Sequence, residues 1–548
     1  MKKHFLFLAG LFILLNCSTL LAQAPPKKIV VENSDMVDIQ QTEVPGAVVY
    51  RGNVRLIHDG VKMSCNVAYL FNKDNYVKAF GDVKMNQGDT VFMDSKYAEY
   101  RGNTKFAFAT GNVVMRDPKM TLTTDTINFD RRIQQAYYTT YGTIKDQENT
   151  LKSKSGRYYL DQKKFQFLTA VTITNPKYVI KSNHLDYYSN SGHSYLFGPS
   201  TITSKENFIY TEKGFYDTKK NFAHFVKNSY IKYNNRLIEG DSLYYDRNRE
   251  FASATNNVKV TDSINKGIAR GHYGEIYRNQ DSLVMTKHAV AATLIEKDTL
   301  YVHGKKLMIT GKPENRIIRA FNNVRFYKID MSGKCDSLHS NERNGLTQLI
   351  GRPVVWNGEN QLTGKVIHLI SNTETEKLDS LKVLTDAFIV SKDTLGKGYN
   401  QVKGVNLYGK FKDNKLYEVD LVKNTEKIYY AYDKGELAAI DKGISSAIHL
   451  ELEDNQITTV TSFKNTESES YPEKDLPENA RKLRGFIWRG DEIIKTQDDI
   501  FPQEEKDLHE KILKRSRVEN AKENVPMEVR KETLEYDKNN PEKKPKAQ

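Results

Sequence analysis

Cysteine is nearly missing from this sequence: Cys17, Cys65 and Cys335 are the only three in 548 residues. The two in the body of the chain, Cys65 and Cys335, lie too far apart to make a disulfide framework, although a single bridge stays open. Proline is scarce too, at 14 residues, which excludes a proline-rich disordered chain. Past the N-terminus no window holds the ~20 apolar residues that a transmembrane helix needs. H-E-x-x-H, G-x-S-x-G, a Walker loop, C-x-x-C and G-x-G-x-x-G are all missing. The twelve histidines are scattered, and neither His184 nor His193 has a neighbour that would complete a metal site. Acid pairs such as Asp241 and Asp246 fall at repeated positions, where turn chemistry accounts for them. No catalytic residue, cofactor or metal is expected, and the chain does not read as an enzyme.

What is present begins at the N-terminus. Lys2 and Lys3 precede an apolar run from Phe5 to Leu15, and Ala22-Gln23-Ala24 offers small residues for cleavage. Residues 1–24 therefore read as a secretory signal peptide. Cys17 raises lipidation as an alternative, with Asn16 a poor residue before it. A net charge of +13 suits an anionic partner, but the bases are dispersed, and an exported chain is not expected to meet nucleic acid.

The main signal is repetition. A glycine- or asparagine-led phrase starts at Gly52, Gly81, Gly111, Gly142, Ala170, Gly198, Asn228 and Asn256, at intervals of 28 to 31 residues. Weaker copies follow at His288, Asn322, Gly351, Asp386 and Asn424, 29 to 38 residues apart. A second phrase, such as N-V-A-Y-L-F at 66–71 or D-S-L-Y-Y-D at 241–246, keeps the same phase. Two phrases in one phase mark a structural repeat.

Inside each repeat the apolar period is two. Val61, Met63, Cys65, Val67, Tyr69 and Phe71 alternate along one stretch, as on a strand with one buried face. Gly-Asn and Gly-Asp supply the left-handed backbone of a turn or bulge, and Asp59-Gly60 and Gln87-Gly88 separate strands of six to ten residues. So many short strands do not fit one flat sheet. The expected fold is all-β: an elongated, twisted β-jelly-roll or solenoid of repeats with a period of about 29 residues.

The domain reading is 25–260 for clear repeats, 261–467 for divergent ones, and 468–548 for a charged extension, partly helical or disordered. Glu504–Arg517 has acids early and bases late, as a helix prefers. The apolar island Leu483–Ile494, with Phe486 and Trp488, either caps the last strand or docks on a partner.

Y-R-G-N-V-R-L (50–56), A-F-G-D-V-K-M (79–85) and A-T-G-N-V-V-M (109–115), joined by strands ending A-Y-L-F, A-E-Y and I-N-F-D, resemble the OstA-like family of lipopolysaccharide transport. The likeness is clear from about Ile29 to Val260. It implies a jelly-roll open along one side, a periplasmic location, and acyl chains of lipopolysaccharide as cargo. It also implies strand-edge pairing with OstA-like domains of an inner-membrane extractor and an outer-membrane barrel, or head-to-tail self-association. The charged extension has no counterpart in the family. Expected lipid-binding interior residues are Val54, Leu56, Val61, Met63, Val67, Tyr69, Val83, Met85, Val113 and Met115. Arg51, Lys62, Lys84 and Arg116 are rim bases that could meet lipid phosphates. Periodicity by itself fits a closed, packed core equally well, and a structural or adhesive β-solenoid is the alternative.

Overall fold

The computed structural model describes residues 27–39, 44–88, 90–146, 148–264, 266–295, 297–312, 315–375, 377–413, 415–453 and 456–523. The expected signal peptide, with Cys17, and the last 25 residues lie outside them. The chain forms two compact units, Met1–Lys205 and Glu206–Gln548.

In the first unit, β1 (Val30–Asn33) and β2 (Met36–Asp38) pair with β3 (Val48–His58). An antiparallel meander follows through β4 (Val61–Phe71), β5 (Tyr76–Gln87), β6 (Val91–Arg101), β7 (Phe106–Asp117) and β8 (Met120–Asp130). These strands are 11 or 12 residues long, beyond the expected six to ten, because the Gly-Asn phrase is a bulge and does not end the strand. Asp59 (φ 47°) and Gly60 (φ 80°) make the true hairpin turn.

Each strand breaks register at its middle, as between Arg51 and Val54 in β3, or Phe80 and Val83 in β5. Of the thirteen residues that start the repeated phrase, twelve hold φ between 45° and 83°. The exception is Gly142, where Tyr141 (φ 57°) takes the left-handed conformation instead. Such backbone favours glycine, asparagine and aspartate, which accounts for the composition of the phrase. A further bend follows at Lys464 and Asn465.

The bends fold every strand into two halves, so the sheet doubles over on itself. Its hairpin tips then meet. In the first unit the Asp59 carboxylate accepts from Lys105 Nζ at 2.5 Å and Lys27 Nζ at 3.1 Å, and Arg131 Nη2 donates to Asp59 O at 3.0 Å. Gln87 Nε2 donates to Gln134 Oε1, Tyr158 Oη to Asp117, and Tyr187 Oη to Asp146. The second unit repeats the pattern with Arg278–Glu206 and Arg236–Asp281, both at 2.6 Å, and Arg316–Asp262 at 3.4 Å. The side opposite the bends is therefore bridged by polar latches rather than left open.

In the second unit the meander runs through three long strands, Tyr399–Lys412, Lys415–Asp433 and Glu436–Glu453, and ends in Gln456–Phe463 and Glu467–Tyr471, which both pair with the last of them. After Tyr471 the chain turns back as a strap of short 3-10 turns and one helix, Gln503–Glu523. Leu476 and Leu483 bury against Phe388, Val390, Ile428, Tyr430 and Ile440, with Phe486 and Trp488 packed beside them. Gln401 then accepts from Leu483 N–H, Gln361 from Arg489 N–H, and Lys334 pairs with Glu492. Farther on, Phe501 stacks on His288 and Ser516 Oγ donates to Asp241. The apolar island thus packs on the chain's own sheet.

The bends give a direct test. A Cβ on Gly81 would come within 2.8 Å of Asn66 Nδ2 at φ 71°, whereas Gly198 at φ 77° has open space. Gly81→Val should lower unfolding free energy by about 1–3 kcal/mol in urea titrations. Gly198→Asn should stay within about 0.5 kcal/mol of wild type.

Candidate functional site

The doubled sheet encloses an apolar interior, and the bulges decide which side chains enter it. Val54, Leu56, Val61, Met63, Val83, Met85, Val113 and Met115 all face inward, from fully buried to 7% exposed. Val67 and Tyr69 do not. Between Ser64 and Val67 the pairing slips, so Ala68 and Leu70 take the buried positions and the alternation running from Val61 changes face. Val67 and Tyr69 lie half-buried on the outer surface, where Tyr69 packs on Phe80 (ring centroids 4.8 Å) and Phe80 on Tyr97 (5.0 Å). This outer ladder of cross-strand aromatic pairs explains part of the high Tyr and Phe content. Beside it, Tyr76 and Tyr97 both donate to Glu99 at 2.6 Å, which raises the two phenol pKa values through burial and the neighbouring carboxylate.

The two halves approach across a cavity of about 360 Å³ in the first unit, open in part to solvent. It is lined by Val61, Met85, Val91, Met93 and Met115 from one half and by Ile127 and Phe129 from the other. Arg131 closes its end, bonded to Tyr100 Oη at 2.8 Å and to Gln87 Oε1 at 3.1 Å. Three of the expected residues, Val61, Met85 and Met115, meet here, while Leu56 and Met63 pair at the level of Met85, and Val54, Val83 and Val113 sit beside the bends. Lys62 and Lys84 point outward into solvent, and Arg116 is ion-paired with Asp94.

A larger cavity, about 730 Å³ and also partly open, lies inside the second unit. Leu381, Ile389, Leu407 and Leu450 form its walls, and the half-buried Phe411, Leu416 and Leu452 surround its mouth beside two hairpin tips. Asn357, Asn360 and Gln361 supply its few polar atoms. This site is not marked by the repeated phrase, which weakens after Val260. The alternation of Ile448, Leu450 and Leu452 was the available signal.

Cys65 and Cys335 are both buried and unbridged, and burial pushes their thiols up to about 11 and about 12. Among the described residues, one group with metal-ligand spacing occurs, Glu418, Asp420 and His449, on a half-exposed strand surface where acids gather without an ion. His184 packs on Phe197 and does not join it.

Residues 26–183 match the family model described as OstA-like protein. This segment is OstA-like. The match covers rather less than a third of the chain and all of the strands β1 to β8. The OstA-like segment thus includes the smaller cavity, and the larger one lies beyond it. Among solved structures the chain is similar to LptH, described as the LptA-homologous periplasmic component of the lipopolysaccharide transport device of Pseudomonas aeruginosa. Identity is 15% over 26% of this chain and 95% of that one, and the TM-score of 0.20 is too low to bear on fold or function. No curated protein matches.

The bulge-driven change of face can be checked by charge placement. Ala68→Asp puts a carboxylate at a site with no exposure and should cost at least ~3 kcal/mol in chemical denaturation. Val67→Asp, on the outer face, should cost under about 1 kcal/mol.

Proposed function

We propose that this protein is a non-enzymatic periplasmic carrier that holds lipopolysaccharide by its acyl chains and passes it towards the outer membrane. The observation that carries the reading is the apolar interior of the doubled sheet, with a partly open apolar cavity in the second unit walled by Leu381, Ile389, Leu407 and Leu450. Each methylene moved from water into such a space contributes ~0.8 kcal/mol, so a few long chains suffice for firm retention. The OstA-like segment supports the same reading. Among the described residues no helix is long and apolar enough to cross a membrane. Export by the N-terminal signal and strand-edge pairing with OstA-like domains of an extractor and a barrel belong to this proposal.

In the carrier reading, the eight inward-facing residues of the OstA-like segment form the apolar surface of the first unit, and cargo enters at cavity mouths or past the polar latches. A second reading draws on the near-complete burial of Val54, Leu56, Val83 and Val113. A core so packed also suits a structural β-solenoid that binds no lipid.

A photo-crosslinker separates the two. Placed at Leu416 or Leu452, both half-buried at the mouth of the larger cavity, it should label lipopolysaccharide in the native envelope. The same group at the outward-facing Tyr69 should not. Mature protein purified from that envelope should carry lipid A by mass spectrometry. Protein free of lipid, with no crosslink from either mouth position, would leave the structural reading standing.

A further inference from the structure

Three histidines sit at successive bends of the second unit, beneath the strap. His272, His288 and His303 come from consecutive strand segments, and all are buried, at 2%, 9% and 0% exposure. The helix lays His509 over them: His509 stacks on His288 (ring centroids 4.4 Å) and lies 5.0 Å from His272. Phe501 covers His288 at 3.7 Å and meets His303 edge-on at 5.1 Å.

The hydrogen bonds define the protonation of this column. Asn257 N–H donates to His272 Nδ1 at 3.3 Å, so that ring keeps its proton on Nε2, which donates to His509 Nδ1 at 2.9 Å. His303 Nδ1 donates to Ala289 O at 2.8 Å. His303 Nε2 and His288 Nδ1 are buried without a hydrogen-bond partner. A metal would need the His272 lone pair that already receives the Asn257 N–H, or the Nε2 that carries the proton. His272 and His509 are thus held as neutral rings, and burial disfavours a charge on His288 and His303.

We infer that the strap is an acid-labile clasp, held on the second unit only while His272, His288, His303 and His509 are neutral. Proton uptake would place up to four positive charges within one buried stack. Lys287 faces His272, and Arg325 faces His303, so both add to the repulsion. Among opposing charges, Asp241 lies near His272 but is bonded by Asn257 Nδ2 and Ser516 Oγ, and Glu510 lies beside His509. Glu505 Oε1 is 3.7 Å from His303 Nε2, with Lys305 and Glu504 around it. Because the ring is neutral, that approach is not an ion pair at neutral pH. Burial raises the Glu505 pKa, so acidification removes this counter-charge as well.

The sign follows from burial, which lowers His272 and His303 to about 4 and His288 to about 3 from an ordinary 6.5. A base with a lowered folded pKa binds fewer protons docked than free. Docking is therefore full above the ordinary value and weakens as pH falls from about 6.5 towards about 4. Each histidine loosens the clasp by up to roughly tenfold per pH unit in that window.

Hydrogen–deuterium exchange of the full mature chain tests this, corrected for intrinsic rates. Peptides spanning 501–516 should exchange at least ~10-fold faster at pH 5 than at pH 7.5, while the strand Lys415–Asp433 stays protected. Fluorescence of Trp356 and Trp488, the only two tryptophans, shows whether release spreads to the rest of the strap. Replacing all three sheet histidines by glutamine should remove most of the pH dependence. His509→Gln, which leaves the sheet untouched, should reduce it and decides the question if the triple variant fails to fold. Protection of 501–516 that is unchanged from pH 7.5 to 5 would overturn the inference. So would an unaltered pH dependence in His509→Gln together with a folded triple variant.

Discussion

The left-handed bend at the centre of each strand is the constraint on which the rest of the molecule depends. A straight strand of 11 or 12 residues would show one face to solvent and one to a single partner sheet. Bent in the middle, it becomes its own partner, and the sheet needs no second sheet to cover its apolar face. The bend also inverts the alternation, so that both halves can turn apolar residues to the same enclosed space. Left-handed backbone costs a residue with a Cβ on the order of 1–2 kcal/mol, which biases the phrase towards glycine, asparagine and aspartate.

Consequences follow at both margins of the doubled sheet. At some bends little room is left, since a Cβ on Gly111 would come within 2.8 Å of Lys96 Cβ, whereas the bend at Gly198 is open. At the tips, loops are free to carry charge, and they meet as Asp59–Lys105 or Arg236–Asp281. The first pairing holds the Asp59 carboxyl well below the usual range, chiefly through the Lys105 hydrogen bond. These polar pairs sit at the margin through which any acyl cargo would pass sideways, and they are partly exposed, so each contributes little to stability. A margin held by many weak contacts can open locally without loss of the fold.

Much of this was legible in the sequence. The positions chosen for their phase, from Gly52 to Asn424, mark the bends almost residue for residue, because left-handed backbone restricts composition strongly. Period-two alternation gave the all-β class and most of the inward face. It failed at Val67 and Tyr69, since a bulge changes face without any change in polarity to announce it. The larger cavity was not legible because the repeated phrase has weakened by the strands that carry its walls, Leu381 and Leu407. The histidine column was hidden for another reason: His272, His288 and His303 look scattered until the bends bring them into line.

The strap has one more implication, for the evolution of length. Stacked strands can ordinarily be duplicated or deleted a pair at a time, since each touches only its neighbours. In the second unit a single segment contacts Gln401, Gln361, Lys334, His303, His288 and Asp241 in turn. Adding or removing one hairpin between Asp241 and Gln401 would throw all later contacts out of step. The strap is thus a gauge of copy number, fixing the count of strands beneath it as a ruler fixes a span.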